Sequence, residues 1–73
     1  MITLNLEKRK MMVEVLDHAK IGINAMSLRK ENGLTLREMS AKMGISISYL
    51  CDLEHGRKSW NKRLMISFIK GIS

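Results

Sequence analysis

The sequence predicts an all-α fold, a compact bundle of four to five short helices, and three observations carry that prediction. Apolar residues recur at spacings of three and four through most of the chain, as they do along the inner face of a helix. Glycines at 22, 33, 44, 56 and 71 divide it into segments of helical length. Proline is absent, and seven methionines together with many leucines and isoleucines supply the apolar bulk, which suits packed helices.

Seventy-three residues without a repeat or a low-complexity linker make a single domain over 1–73. A chain of this size buries about 60% of the surface its unfolded form exposes. It needs a compact core, a partner subunit, or both, and a large pocket for a small-molecule ligand is not expected. Thirteen Lys and Arg against seven Asp and Glu give a net charge of +6, which favours a polyanionic partner. The charge is unevenly placed: no acidic residue follows Glu54, whereas Arg57, Lys58, Lys62, Arg63 and Lys70 do.

Several functions are excluded as expectations. Cys51 is the only cysteine, so neither an internal disulfide nor a cysteine-based zinc site can form. His18 and His55 fall on different segments with no third ligand, so no metal is expected. No set of nucleophile, base and orienting group appears, nor a glycine loop for phosphate, and neither catalysis nor a cofactor is expected. Glu7 to Lys10 interrupts the only N-terminal apolar run, and nothing approaches the roughly 18 apolar residues of a membrane span. No membrane association is expected, and the expected location is cytoplasmic.

The N-terminal extension, 1–21, opens with Ile2, Leu4 and Leu6 alternating with other residues, as in a short arm. A helix is expected over about 6–20, with Met12, Val15, Leu16, Ala19, Ile23 and Met26 forming one apolar face that runs past Gly22. A second helix is expected over 22–31, either continuous with the first or meeting it at Gly22. Arg29, Lys30 and Glu31 are placed on its outside.

Asn32-Gly33 stops that helix, and Leu34 precedes the next as a hydrophobic staple towards Met39. Thr35 then caps a helix over Leu36–Met43, with Glu38 completing a capping box and Met39 and Met43 inward. Gly44 closes it, because glycine enters the left-handed region without a Cβ penalty. Ser46 caps a further helix, Ile47–His55, which buries Leu50 and Leu53 and stops at Gly56. Trp60 is assigned to the core after a basic loop. Ser59 or Asn61 can cap a last helix carrying Leu64, Met65, Phe68, Ile69 and Ile72 on one face.

Two short helices joined by a glycine turn over 35–56 are the helix-turn-helix signature. Around that stretch stand Ile21-Gly22, the run from Leu28 to Thr35, Met39, Gly44-Ile45-Ser46, Leu50 and Glu54-His55-Gly56-Arg57. With these residues the chain resembles the Cro/C1-type helix-turn-helix domains, also called XRE-like or phage-repressor-like, from Ile21 to about Ile69. The Glu-x-Gly that begins eight residues after Ser46 is the most specific piece. The resemblance implies a lambda-repressor-like fold. Four departures accompany it: Ser40 where alanine is usual, Leu36 where a glutamine often touches phosphate, Trp60 in place of a proline, and an N-terminal extension where a fifth helix often builds the dimer.

In such domains the second motif helix lies in the major groove. Projecting outward from Leu50 and Leu53 leaves Ile47, Ser48, Cys51 and Asp52 facing away from the core. The resemblance places Ser46, Ile47, Ser48 and Asp52 as base readers: Ile47 against a thymine methyl, Ser48 to either base type, Asp52 accepting from a cytosine amino group. Arg37, Lys42, Tyr49, Arg57, Lys58, Lys62 and Arg63 are expected at phosphates. The helix holds no Arg, Lys, Asn or Gln, so direct readout is expected to be modest and backbone contacts or DNA shape to carry more. Glu54 is read as accepting bonds inside the domain, from an arginine or a helix-end amide.

These expectations describe a sequence-specific regulator of transcription on double-stranded DNA. A homodimeric, autoregulating repressor on a palindromic operator fits, of the small phage repressor, restriction-modification controller or anti-CRISPR-associated type. Its interface is expected on Leu64, Phe68, Ile69 and Ile72, or on Ile2, Leu4, Leu6 and Met11. The alternative is an antitoxin or inhibitor module whose apolar N-terminal segment grips a protein partner.

Overall fold

The computed structural model describes residues 17–73, which form α1 (His18–Glu31), α2 (Leu36–Met43), α3 (Ile47–Glu54) and α4 (Lys62–Ile72), with no strand among the described residues. Most of the helix expected over 6–20, the N-terminal arm and the interface candidates Ile2, Leu4, Leu6 and Met11 lie outside the described residues.

α1 begins at Asp17, whose carboxylate accepts from the Ala19 N–H at 3.0 Å and the Lys20 N–H at 3.3 Å. The helix runs unbroken through Gly22. Its inner face differs from the one the apolar spacing selects: Gly22, Ala25 and Arg29 are buried, Ile21 and Met26 half-buried, and Ile23 is 59% exposed. Close approach is the reason. A Cβ at Gly22 would lie 2.5 Å from the Glu54 carbonyl oxygen and would also overlap that of Leu53. The C-terminal end of α3 therefore rests directly on the α1 backbone, and only the face carrying the smallest residue permits it.

α2 carries the expected capping box: Thr35 Oγ1 accepts from the Glu38 N–H, and Glu38 Oε1 accepts from the Thr35 N–H, both at 3.0 Å. Hydrogen bonding from Thr35, its backbone N–H first and its hydroxyl second, holds the Glu38 carboxyl below its usual range. Gly44 closes the helix at φ 69° and ψ 31°, the left-handed cap. Ser46 Oγ then accepts from the Tyr49 N–H at 3.0 Å to start α3. Asn61 is the residue that caps α4, its Oδ1 accepting from the Leu64 N–H at 2.8 Å.

The core is Ala25, Met39, Leu50, Leu53, Trp60, Leu64 and Phe68, drawn from all four helices and from the loop before α4. α1 packs on α3 and α2 on α4, with α2 and α3 against each other. Each fully buried Leu, Met or Phe contributes about 1.5–3 kcal/mol relative to exposure. Trp60 sits in the core as expected. Its indole N–H donates to the Leu53 carbonyl at 3.0 Å, its backbone N–H to His18 Nδ1 at 3.0 Å, and its ring meets Phe68 edge-on at 5.8 Å.

Candidate nucleic-acid interface

α3 divides cleanly into an inner and an outer side. Leu50 and Leu53 are wholly excluded from solvent, and Glu54 beside them is 1% exposed. Ser46, Ile47 and Ser48 are exposed on the opposite side, with Cys51 and Asp52 partly so. Tyr49 lies at the flank and is half-buried against the core.

What fixes this helix in place is a buried ion pair. Arg29 on α1 donates through Nε to Glu54 Oε2 at 2.7 Å and through Nη2 to Oε1 at 3.1 Å, a two-pronged bridge between α1 and the end of α3. Its Nη1 donates to the Leu34 carbonyl at 2.8 Å, tying in the segment before α2 as well. Glu54 thus takes the internal role read from the sequence. Arg29 corrects the expectation that it stands outside: it is 7% exposed, because Glu54 supplies a carboxylate for it in the interior. A charge on the third consecutive buried position of a helix face gives no sign of that partner until the fold brings the two together.

Gly44 with Ile45 makes the turn between the motif helices, the Ile45 N–H reaching back to the Ser40 carbonyl at 3.0 Å. Ser40, the departure from alanine, is buried, and its hydroxyl donates to the Arg37 carbonyl at 2.9 Å. The change is accommodated by that bond.

Arg37, Lys42, Arg57, Lys58, Lys62 and Arg63 are all exposed. Arg63 lines a cleft with Gly44, Ile45, Tyr49 and Asn61, so it stands by the motif turn and the start of α3. Lys42 is placed apart from it, beside Gly71 in the last turn of α4.

Two residues expected to make separate contacts are joined instead. Arg57 Nε donates to Asp52 Oδ1 at 2.7 Å, its Nη2 approaches Cys51 Sγ at 3.8 Å, and its backbone N–H donates to the Asp52 carbonyl at 2.9 Å. Gly56 at φ 75° is the residue that folds the chain back far enough for this. Hydrogen bonding to Asp52 pushes the Arg57 guanidinium pKa further up, so its charge is permanent. Opposite charges five residues apart across a helix-ending glycine were the available sequence signal. His55 turns back on its own helix, its Nδ1 2.8 Å from the Cys51 carbonyl. No cluster of metal ligands occurs among the described residues.

The interface expected on α4 is corrected in part. Leu64 and Phe68 belong to the core and face inward, since the amphipathic face of α4 is the one that closes the domain. Ile72 is half-buried against the same core, and Ile69 alone of the four is openly exposed, at 59%. Ile69 borders an apolar groove between α1 and α4, lined by Ile21, Ala25, Leu28, Met65 and Phe68 among others.

A family model described as helix-turn-helix matches residues 26–67. An uncharacterized HTH-type transcriptional regulator of Sinorhizobium fredii is 46% identical over 39 residues, a stretch covering 53% of this chain and 51% of that protein. The chain therefore spans about half the length of the curated relative it matches. No solved structure matches the chain.

Proposed function

The chain belongs to the Cro/C1-type helix-turn-helix family, and we propose that it regulates transcription by binding a specific site on double-stranded DNA. The observation that supports this best is the two-sidedness of α3. Its inner side is occupied by Leu50, Leu53 and the Arg29–Glu54 bridge, so its outer side is rigidly presented and has no duty in the core. Ser46, Ile47 and Ser48 form the leading edge that enters the major groove. Arg37, Lys58, Lys62 and Arg63 neutralise phosphates, with Tyr49 donating at the flank. Lys42 contributes from the end of α2.

In this reading two copies form a homodimer and set their α3 helices in successive major grooves about 34 Å apart. The operator is accordingly palindromic, and occupying promoter DNA, including the protein's own, gives repression. Ile69 and the groove beside it form the interface. The work is done in the cytoplasm, where the DNA is.

The test is binding to the duplex upstream of the protein's own gene, against random duplex, over a salt series. Preference for that duplex with a steep loss of affinity as salt rises is expected. Equal binding to every duplex would sink the proposal. The rival reading is an antitoxin or inhibitor whose apolar N-terminal segment grips a protein partner, and the apolar groove is a further surface open to such a partner. Purification from the native host separates the two: a stoichiometric heterologous partner in place of a self-dimer favours the rival.

A further inference from the structure

The outer side of α3 lacks the side chains that read guanine or adenine with two hydrogen bonds, yet the fold delivers one from outside the helix. We propose that Arg57 is a guanine-reading residue and that Asp52 is its positioning residue rather than a reader of cytosine. This rests on the DNA-binding reading above and names the base that the site selects.

The argument starts from the five N–H donors of a guanidinium. Nε–H is taken by Asp52 at 2.7 Å, and one Nη2–H points to Cys51. The other Nη2–H and both Nη1–H bonds have no partner among the described residues, and they form the end of the fork that matches guanine O6 and N7. Asp52 lies on the outward side of α3, so a guanidinium bound to it is drawn over that side instead of trailing beyond the helix. The side chain remains 57% exposed there, with Asp52 at 32%.

Charge favours a base over a phosphate as the target. Arg57 and Asp52 together are close to neutral, so the pair releases few counterions at a phosphate. An unpaired Asp52 carboxylate would be repelled by the DNA backbone. Matched by Arg57, it can enter the groove, where guanine offers two neutral acceptors. The clamp also spends in advance the rotamer freedom that arginine otherwise loses on binding.

The experiment is selection from a randomised duplex pool with the full chain as wild type, Arg57→Lys and Asp52→Asn, followed by affinity measurements over a salt series. Wild type is expected to enrich guanine at one position of each half-site. Arg57→Lys keeps the charge and loses the fork, so preference at that position falls about 5- to 150-fold while the salt slope stays. Asp52→Asn lowers preference at the same position and, by freeing a cation, steepens the salt slope by about one phosphate. The proposal is overturned if Arg57→Lys leaves every base preference unchanged, or if Asp52→Asn removes a cytosine preference that Arg57→Lys does not touch. Wild type without any sequence preference overturns the DNA reading itself, and a monotonic loss across all sequences in Arg57→Lys returns Arg57 to a phosphate.

Discussion

Glu54 shows how much one buried charge can decide. Two arginine nitrogens satisfy its carboxylate in the interior, and it has no exposed route to water. Replacing it with alanine leaves Arg29 charged and uncompensated, for which about 3–5 kcal/mol of lost stability is expected. Small domains hold only about 5–15 kcal/mol in total, so urea denaturation of Glu54→Ala should show a fold near collapse. Glu38 makes a milder, pH-dependent case. Its pKa is depressed by the bonds to Thr35, so its contribution is present above the unfolded carboxylate pKa of about 4.3 and lost as pH falls through the lower folded value. Thermal melts of wild type and Glu38→Gln should differ at pH 7 and converge below about pH 4. Glu38 was legible from the sequence because its partner is three residues away, whereas Arg29 and its partner are 25 apart.

Helices α2 and α3 were readable almost to the residue for the same reason: Thr35, Glu38, Gly44 and Ser46 act within one turn of where they stand. α1 was readable as a helix but not in phase. Hydrophobic spacing rewards bulk, and the position that meets α3 holds a glycine because bulk cannot fit there. Gly22→Ala tests this. Alanine improves helix propensity by about 1 kcal/mol, but its methyl would meet two main-chain carbonyls, which cannot rotate aside as a side chain can. Overpacking of about 1–3 kcal/mol should win, and denaturation midpoints should fall. A rise would show that the α1–α3 contact yields enough to seat the methyl group.

At the level of the whole molecule, the domain folds by turning the apolar side of α4 inward, so little of that side is left for a partner. Periodicity alone cannot say whether such a face closes a core or joins two subunits, which is why Leu64 and Phe68 were readable as apolar and not as interior. The distinction is testable. Phe68→Ala should cost about 3–5 kcal/mol of stability. Ile69→Glu should leave the melting of dilute protein unchanged and shift the sedimentation of concentrated protein towards monomer, if Ile69 meets a second copy. The single tryptophan adds a practical consequence. Trp60 is enclosed against Phe68 and hydrogen-bonded to the end of α3, away from the outward edge of that helix. Its fluorescence is therefore an intrinsic gauge of folding: blue-shifted in the native chain, red-shifted on denaturation, and largely indifferent to occupancy of the α3 surface. A titration with duplex that shifts this emission would report a rearranged interior, whereas one that leaves it still would report docking of a rigid body.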